Sequence, residues 1–307
     1  MKKHLIQTCA FLGLFILMCV GAYELSDSLV YAQRNAILTF DPEIQVVFAG
    51  DSHVQCGVND KLVANSINVA SSGEAYLFSY VKLKALLECN SQVKAVYLGY
   101  GMHNFEESKE KAWLYKDAVI LDRYPLYSFL LGAQEKKLLF VHNPKAVLRA
   151  IRLAVIHNVR ILAGSYSAKS PLTLNHLWDG GHWALVGNRV EKEKQSDLDK
   201  KEPFFTQESI QFKYLKLVAD LCASKSVKLT LLSVPKHDYY FDGYDKSEES
   251  CWRNAGCSLR SVELMDFSHD VMPLSCYRDA AHLNKQGAEL FSRHLERVIS
   301  GATSCDH

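Results

Sequence analysis

Apolar residues in this chain fall into short runs that end in glycine or polar residues. Gln45-Val46-Val47-Phe48-Ala49 runs into Gly50-Asp51-Ser52. Such a run reads as a buried strand of a parallel sheet, with a helix over Val54–Ala64 leaving it. Ser66-Ile67-Asn68-Val69-Ala70 is a second strand, turning at Ser71-Ser72-Gly73-Glu74. Val93–Tyr100 is a third, ending in Gly101-Met102-His103-Asn104, and Val227–Pro235 and Val262–Phe267 complete the set. Helical spacing lies between them, over Tyr76–Leu87 and at Ile210, Tyr214, Leu217, Val218, Leu221 and Cys222. Asn284 is a good cap for a last helix with Ala288, Phe291, Leu295 and Val298 on its inner face. Strands alternating with helices predict a doubly wound, mostly parallel sheet covered on both sides.

Two stretches break that rhythm. Met1-Lys2-Lys3-His4 is basic, and Leu5–Tyr23 then holds no charged residue. As a helix it would span about 28 Å, close to a bilayer core. The lysines predict a single-pass anchor in the cytoplasmic membrane, with the rest outside the cytoplasm. Val20-Gly21-Ala22 also suits a cleaved signal peptide. Cys19 follows Leu17-Met18, a poor match to a lipoprotein site.

The second stretch is 105–205, where strand and helix do not alternate. Pro144–Ile156 places Val147, Leu148, Ile151 and Val155 on one helical face. Lys136, Lys137, Lys145, Arg149, Arg152 and Arg160 make this part basic, a face that is solvated or lies on anionic lipid. Trp178-Asp179-Gly180-Gly181-His182-Trp183 is a loop that stacks on a sugar or packs on the domain, and Glu191–Glu202 reads as a charged surface loop. The expected division is an anchor or signal peptide at 1–23 and a connector at 24–43. An α/β domain then covers 44–104 and 206–300, with a helical or irregular insertion at 105–205.

The 307 residues carry a net charge of +1, with 48% hydrophobic and 22% charged content. That is ordinary globular composition and gives no argument for nucleic acid. Nine cysteines are many, and in an exported chain disulfides persist. Cys251 and Cys257 close a short polar stretch and are expected to pair with each other or with Cys276. No C-x-x-C pair points to zinc. Cys222 reads as a core residue.

The chemistry gathers at the strand ends. Ser52 leaves the first strand with its hydroxyl exposed, but a serine needs a base within hydrogen-bond reach. Asp279-Ala280-Ala281-His282-Leu283-Asn284 offers one, since one turn can present Asp279 and His282 toward one site. Ser52 is then the nucleophile, His282 the general base and Asp279 its orienting partner. Asp51, His53, His103, Trp178 and His182 are candidate substrate-binding residues. Asp51 also reads as a hydrogen bonder of the turn, and His53 as a capping or packing residue. Tyr76 and Tyr100 read as core or rim.

Gly50-Asp51-Ser52 together with Asp279-x-x-His282-Leu283-Asn284-x-x-Gly287-Ala288 resembles the SGNH (GDSL-like) hydrolase superfamily. The resemblance covers roughly 43–104 and 206–300. It implies a flavodoxin-like sheet, no cofactor and no metal. It also implies an oxyanion hole made by the N–H of Ser52, the N–H of Gly73 and the side chain of Asn104. The family's Gly-x-Asn-Asp block reads Gly101-Met102-His103-Asn104 here, a departure at the asparagine. One anchor and an exported domain are also the layout of the SGNH-like proteins of D-alanylation and alginate acetylation. The expected function is an esterase or O-acyltransferase acting on acyl groups of a cell-envelope glycan.

Two other readings remain open. The chain is a non-catalytic, membrane-tethered partner of a membrane-bound O-acyltransferase, or a metallophosphoesterase-like hydrolase. The latter rests on Asp51-x-His53 and Gly181-His182, but its other blocks are absent and Asp279-x-x-His282 would be idle.

Overall fold

A computed structural model describes residues 2–164, 181–190, 209–242, 244–259 and 261–301. Chain contacts divide it into two units, 1–37 with 115–170 and 38–114 with 171–307.

The larger unit is built on five parallel strands: β1 (Val46–Ala49), β2 (Ser66–Asn68), β3 (Ala95–Gly99), β4 (Lys228–Ser233) and β5 (Val262–Asp266), in the order β2-β1-β3-β4-β5. Every pairing is parallel, as in Val47 opposite Ile67 and Val96, and Leu98 opposite Leu231. This is the expected doubly wound sheet. Order reverses between β1 and β3, which is where such sheets place ligands, outside the carboxyl ends of the strands.

Helices cover the sheet: α3 (Ser52–Gly57), α4 (Tyr76–Cys89), α9 (Ile210–Ser224), α10 (Lys246–Cys257) and α11 (Lys285–Ile299). Phe48, Tyr97 and Leu232 share one buried cluster with Val54 of α3, Val58 at its end, and Phe291 and Leu295 of α11. Cys222 is buried on α9, as its spacing predicts, and burial pushes its thiol up to about 12.

Helix α3 ends earlier than expected. The Asn68 side chain donates to the carbonyls of Val54 and Val58, and the N–H of Asn59 donates to Ser292. These tertiary bonds occupy the groups that another helical turn would use. A short 3₁₀ turn, Asp60–Leu62, follows instead.

The expected cysteine loop is also corrected. Cys251 and Cys257 both lie on α10, exposed and free, and Cys276 is buried and free. Six positions on a helix amount to about 9 Å along its axis, too far for a disulfide. The segment is helical because Asp245 and Glu248 form a capping box and Trp252 buries one face.

The smaller unit is helical. Helix α1 runs Lys2–Ala32 and is long and apolar enough to cross a membrane. It does not stop at Tyr23, so residues 24–32 of the expected connector are helix, and α2 (Arg34–Leu38) follows. Between α4 and α9 the chain forms α5 (Glu107–Leu114) in the larger unit, then α6 (Asp117–Tyr127), α7 (Ala133–His142) and α8 (Pro144–Leu162) in the smaller one. Asp27 of α1 accepts from Ser128 and Asn158, each at 2.7 Å, and from Lys136 at 2.9 Å. Trp178 and the charged stretch Glu191–Glu202 lie outside the described residues.

Candidate active site

The site begins with a crossing of two strands. Gly50 follows β1 at φ +122, and a Cβ there would lie 2.9 Å from the Gly99 nitrogen. Only glycine tolerates both the dihedral and the contact. Asp51 then caps α3, accepting from the His53 N–H at 2.9 Å. This sets Ser52 at the carboxyl edge of the sheet, half-buried.

The other half comes from the turn before α11. Asn284 caps α11 through the Gly287 N–H, and its amide reaches back to the carbonyls of Ser275 and Tyr277. A Cβ on Gly287 would sit 2.1 Å from the Cys276 carbonyl oxygen. Leu283 is fully buried and pins the turn to the core. Each residue of the tail motif around His282 therefore has a packing reason.

These two turns meet. Ser52 Oγ lies 2.8 Å from His282 Nε2, across 230 positions of sequence. His282 Nδ1 lies 2.8 Å from Asp279 Oδ1, which also accepts from the N–H groups of Ala281 and His282. Burial pushes the Asp279 carboxyl up, but the His282 hydrogen bond and charge and the two N–H donors outweigh it. The carboxyl is held below its ordinary value. An ionised Asp279 fixes the imidazole with Nδ1 as donor, leaving Nε2 to accept from the serine.

A second carboxylate–imidazole pair lies behind Ser52. Asp51 Oδ2 is 2.6 Å from His103 Nε2 and accepts from Asn104 Nδ2 at 2.8 Å. Burial alone would raise Asp51, but the imidazoles of His103 and His53 beside it and the hydrogen bonds from His103 and Asn104 hold it well below its ordinary value. His103 Nδ1 is 2.9 Å from the Tyr240 hydroxyl. His53 is wedged between rings, 3.9 Å from His103 and 4.8 Å from His282 by centroid. Burial first, then nearby His103 and the Lys236 amine, pushes His53 well below the usual imidazole range against the opposing charge of Asp51, and burial lowers His103 as well. Among the described residues His53 Nδ1 has no hydrogen-bond partner.

Gly73 stands at φ +64 in the turn after β2, against the Trp113 ring. That turn is held by a buried pair, Glu74 with Lys82 at 2.6 Å. Asn104 is buried, with Oδ1 accepting from Gly101 N–H and Tyr76 and one Nδ2 hydrogen committed to Asp51. Its second Nδ2 hydrogen is the one that remains for an oxyanion. His182 lies away from this cluster, against α3: its Nε2 is 2.8 Å from the Cys56 carbonyl oxygen. Tyr76 and Tyr100 are both buried core residues, Tyr100 stacked on Trp252.

Three site residues escape the sequence reading. Lys236 is buried, and burial pulls its amine down to about 8 against the charges of Asp51 and Asp266. Tyr240 holds His103, and Trp113 lies 5.7 Å from the His103 ring. None stands in a recognisable motif; the position of Lys236 just past β4 and Pro235 was the available signal.

Asp51, His53 and His103 have donor atoms within 4.8 Å of one another, close enough to hold a metal ion. Their chemistry fits a cation poorly. Asp51 Oδ2 already accepts from His103 and Asn104, and the charge of buried Lys236 bears on all three. His182, the further ligand a metallophosphoesterase would need, is bonded to Cys56 instead.

No family model matches the chain, and no curated protein does. Among solved structures it is similar to "The structure of a putative platelet activating factor from Streptococcus pneumonia", at 12% identity and a TM-score of 0.42, over 95% of this chain and 99% of that one.

Proposed function

We propose that this chain is a membrane-anchored hydrolase of the serine type, an esterase or O-acyltransferase acting on acyl groups of a cell-envelope glycan. One observation carries the reading: the unbroken relay from Ser52 Oγ through His282 to Asp279, 2.8 Å at each step. Ser52 attacks the acyl carbon and its proton passes to His282 Nε2. The C–O bond of the ester breaks, and the leaving alkoxide takes that proton. Water, or an acceptor hydroxyl in transfer, then attacks the acyl-serine with His282 again as base. Asp279 stabilises the imidazolium throughout.

We assign the oxyanion to the N–H groups of Ser52 and Gly73 and the second amide hydrogen of Asn104. Each such donor is worth about 10²–10³ in rate. Of the candidate substrate-binding residues, His53, with its unpartnered Nδ1, is assigned to the substrate side, and Asp51 and His103 to support of Ser52 from behind. The envelope glycan rests on reading α1 as an anchor that leaves the rest of the chain outside the cytoplasm, together with the resemblance to SGNH-like proteins, and not on a binding motif.

A fluorophosphonate probe tests the proposal. It should label the full-length protein at Ser52, and neither Ser52→Ala nor His282→Ala should be labelled. Labelling that persists in Ser52→Ala overturns the mechanism. Labelling at Ser52 without turnover of any acetylated polysaccharide supports the tethered-partner role instead.

A further inference from the structure

The smaller unit carries a face that the esterase chemistry does not use. Helix α8 buries Ala146, Val147, Ala150, Ala154, Asn158 and Ile161. Its opposite side leaves Leu148, Leu153, Ile156 and Val159 exposed, Leu148 at 61% and Val159 at 55%. Lys145, Arg149, Arg152 and Arg160 are interleaved with them, and α8 contains no acidic residue. Phe140 and Val141 at the end of α7 are exposed as well. A solvated face would not carry this many apolar side chains. A basic, apolar face is what an anionic membrane surface selects.

Its position agrees. The buried residues of α1 are Tyr23, Ser26, Asp27 and Val30, so α1 is packed just beyond its apolar run. Asn158 of α8 bonds Asp27. At 1.5 Å per residue, Asp27 is about 6 Å past Tyr23, the depth of lipid headgroups. An open cleft of about 580 Å³ lies on this face, lined by Leu121, Leu148, Leu153, Arg149 and Arg152. Arg149 has only a loose pairing with Asp117, at 3.7 Å, and Arg152 has no ion pair among the described residues.

We propose that this cleft binds an anionic phospholipid of the leaflet, with the phosphate on Arg149 and Arg152 and an acyl chain against Leu121, Leu148 and Leu153. It goes beyond the esterase reading and needs no turnover to test. The full-length protein is placed in nanodiscs containing a photoreactive phosphatidylglycerol or a photoreactive phosphatidylcholine, and cross-links are mapped by mass spectrometry. The expected result is phosphatidylglycerol on the peptide 145–160 at several-fold the yield of phosphatidylcholine. Arg149→Glu with Arg152→Glu should cut that yield by about 25-fold or more, since each arginine near an anionic surface contributes about fivefold. Arg149→Lys with Arg152→Lys should keep most of it. Equal yields from both lipids, cross-links elsewhere, or indifference to charge reversal overturn the proposal. So does loss of the cross-link in millimolar inorganic phosphate, which would make this a free-phosphate site.

Discussion

Asp51 and His103 are joined by a 2.6 Å hydrogen bond directly behind Ser52, so two carboxylate–imidazole pairs flank that serine. One points its imidazole at the serine; the other turns its imidazole toward Tyr240. Between them His53 is held neutral by burial.

That neutrality makes the fold sensitive to acid. His53 and His103 have folded values below the unfolded one, so the unfolded chain binds more protons below about pH 6.5. Their contribution is full above that pH and is lost as pH falls through it. Stability in detergent, read as a urea midpoint, should drop between pH 7 and 5. His53→Phe should make the slope shallower by about 1.4 kcal/mol per pH unit, one proton's worth. An unchanged slope would contradict the burial argument.

Lys236 acts in the opposite range. Its folded value of about 8 lies below that of a free lysine, so stability should rise as pH climbs from 8 toward 9.5. Lys236→Met should remove that rise and be more stable than the parent at pH 7, where the parent must bury a charge. A variant that keeps the rise would show that another group causes it.

The relay should behave as one device. Ser52→Ala and His282→Ala should each abolish esterase turnover, and the double variant should be little worse than either. Asp279→Asn should cost on the order of 10⁴ in kcat while leaving KM nearly unchanged. Additive losses in the double variant would mean that serine and histidine act separately.

Gly287→Ala should damage activity more than global stability. Its new methyl would overlap the Cys276 carbonyl and displace the turn that carries His282. Turnover should fall at least tenfold with a cost of roughly 1–3 kcal/mol in unfolding. Equal activity would mean that the turn relaxes without moving the imidazole.

The Ser52 and His282 turns were legible because each couples a local signal to its neighbour: a glycine at a strand end, a cap before a helix. The doubly wound sheet was legible for the same reason. Lys236, Tyr240 and the Glu74–Lys82 pair were not, since each is a lone side chain whose meaning comes from what the fold brings beside it. The cysteine segment misled because its polar composition hid the signal Asp245-Lys246-Ser247-Glu248, a capping box. The end of α1 misled because Ser26 and Asp27 look like the close of an apolar helix. Their polar groups instead face Asn158, Ser128 and Lys136.

That last arrangement decides where the protein can be cut. A truncated version beginning after Ala32 would strip Asp27 away and leave Ser128 and Asn158 buried without their acceptor, at about 1–3 kcal/mol for each orphaned group. It would also expose the Tyr124 hydroxyl that meets Tyr23. A version released from the bilayer yet still folded has to begin ahead of Tyr23, within the apolar run itself. The last three turns of α1 belong to the folded protein, and only the turns before them are free to span a bilayer.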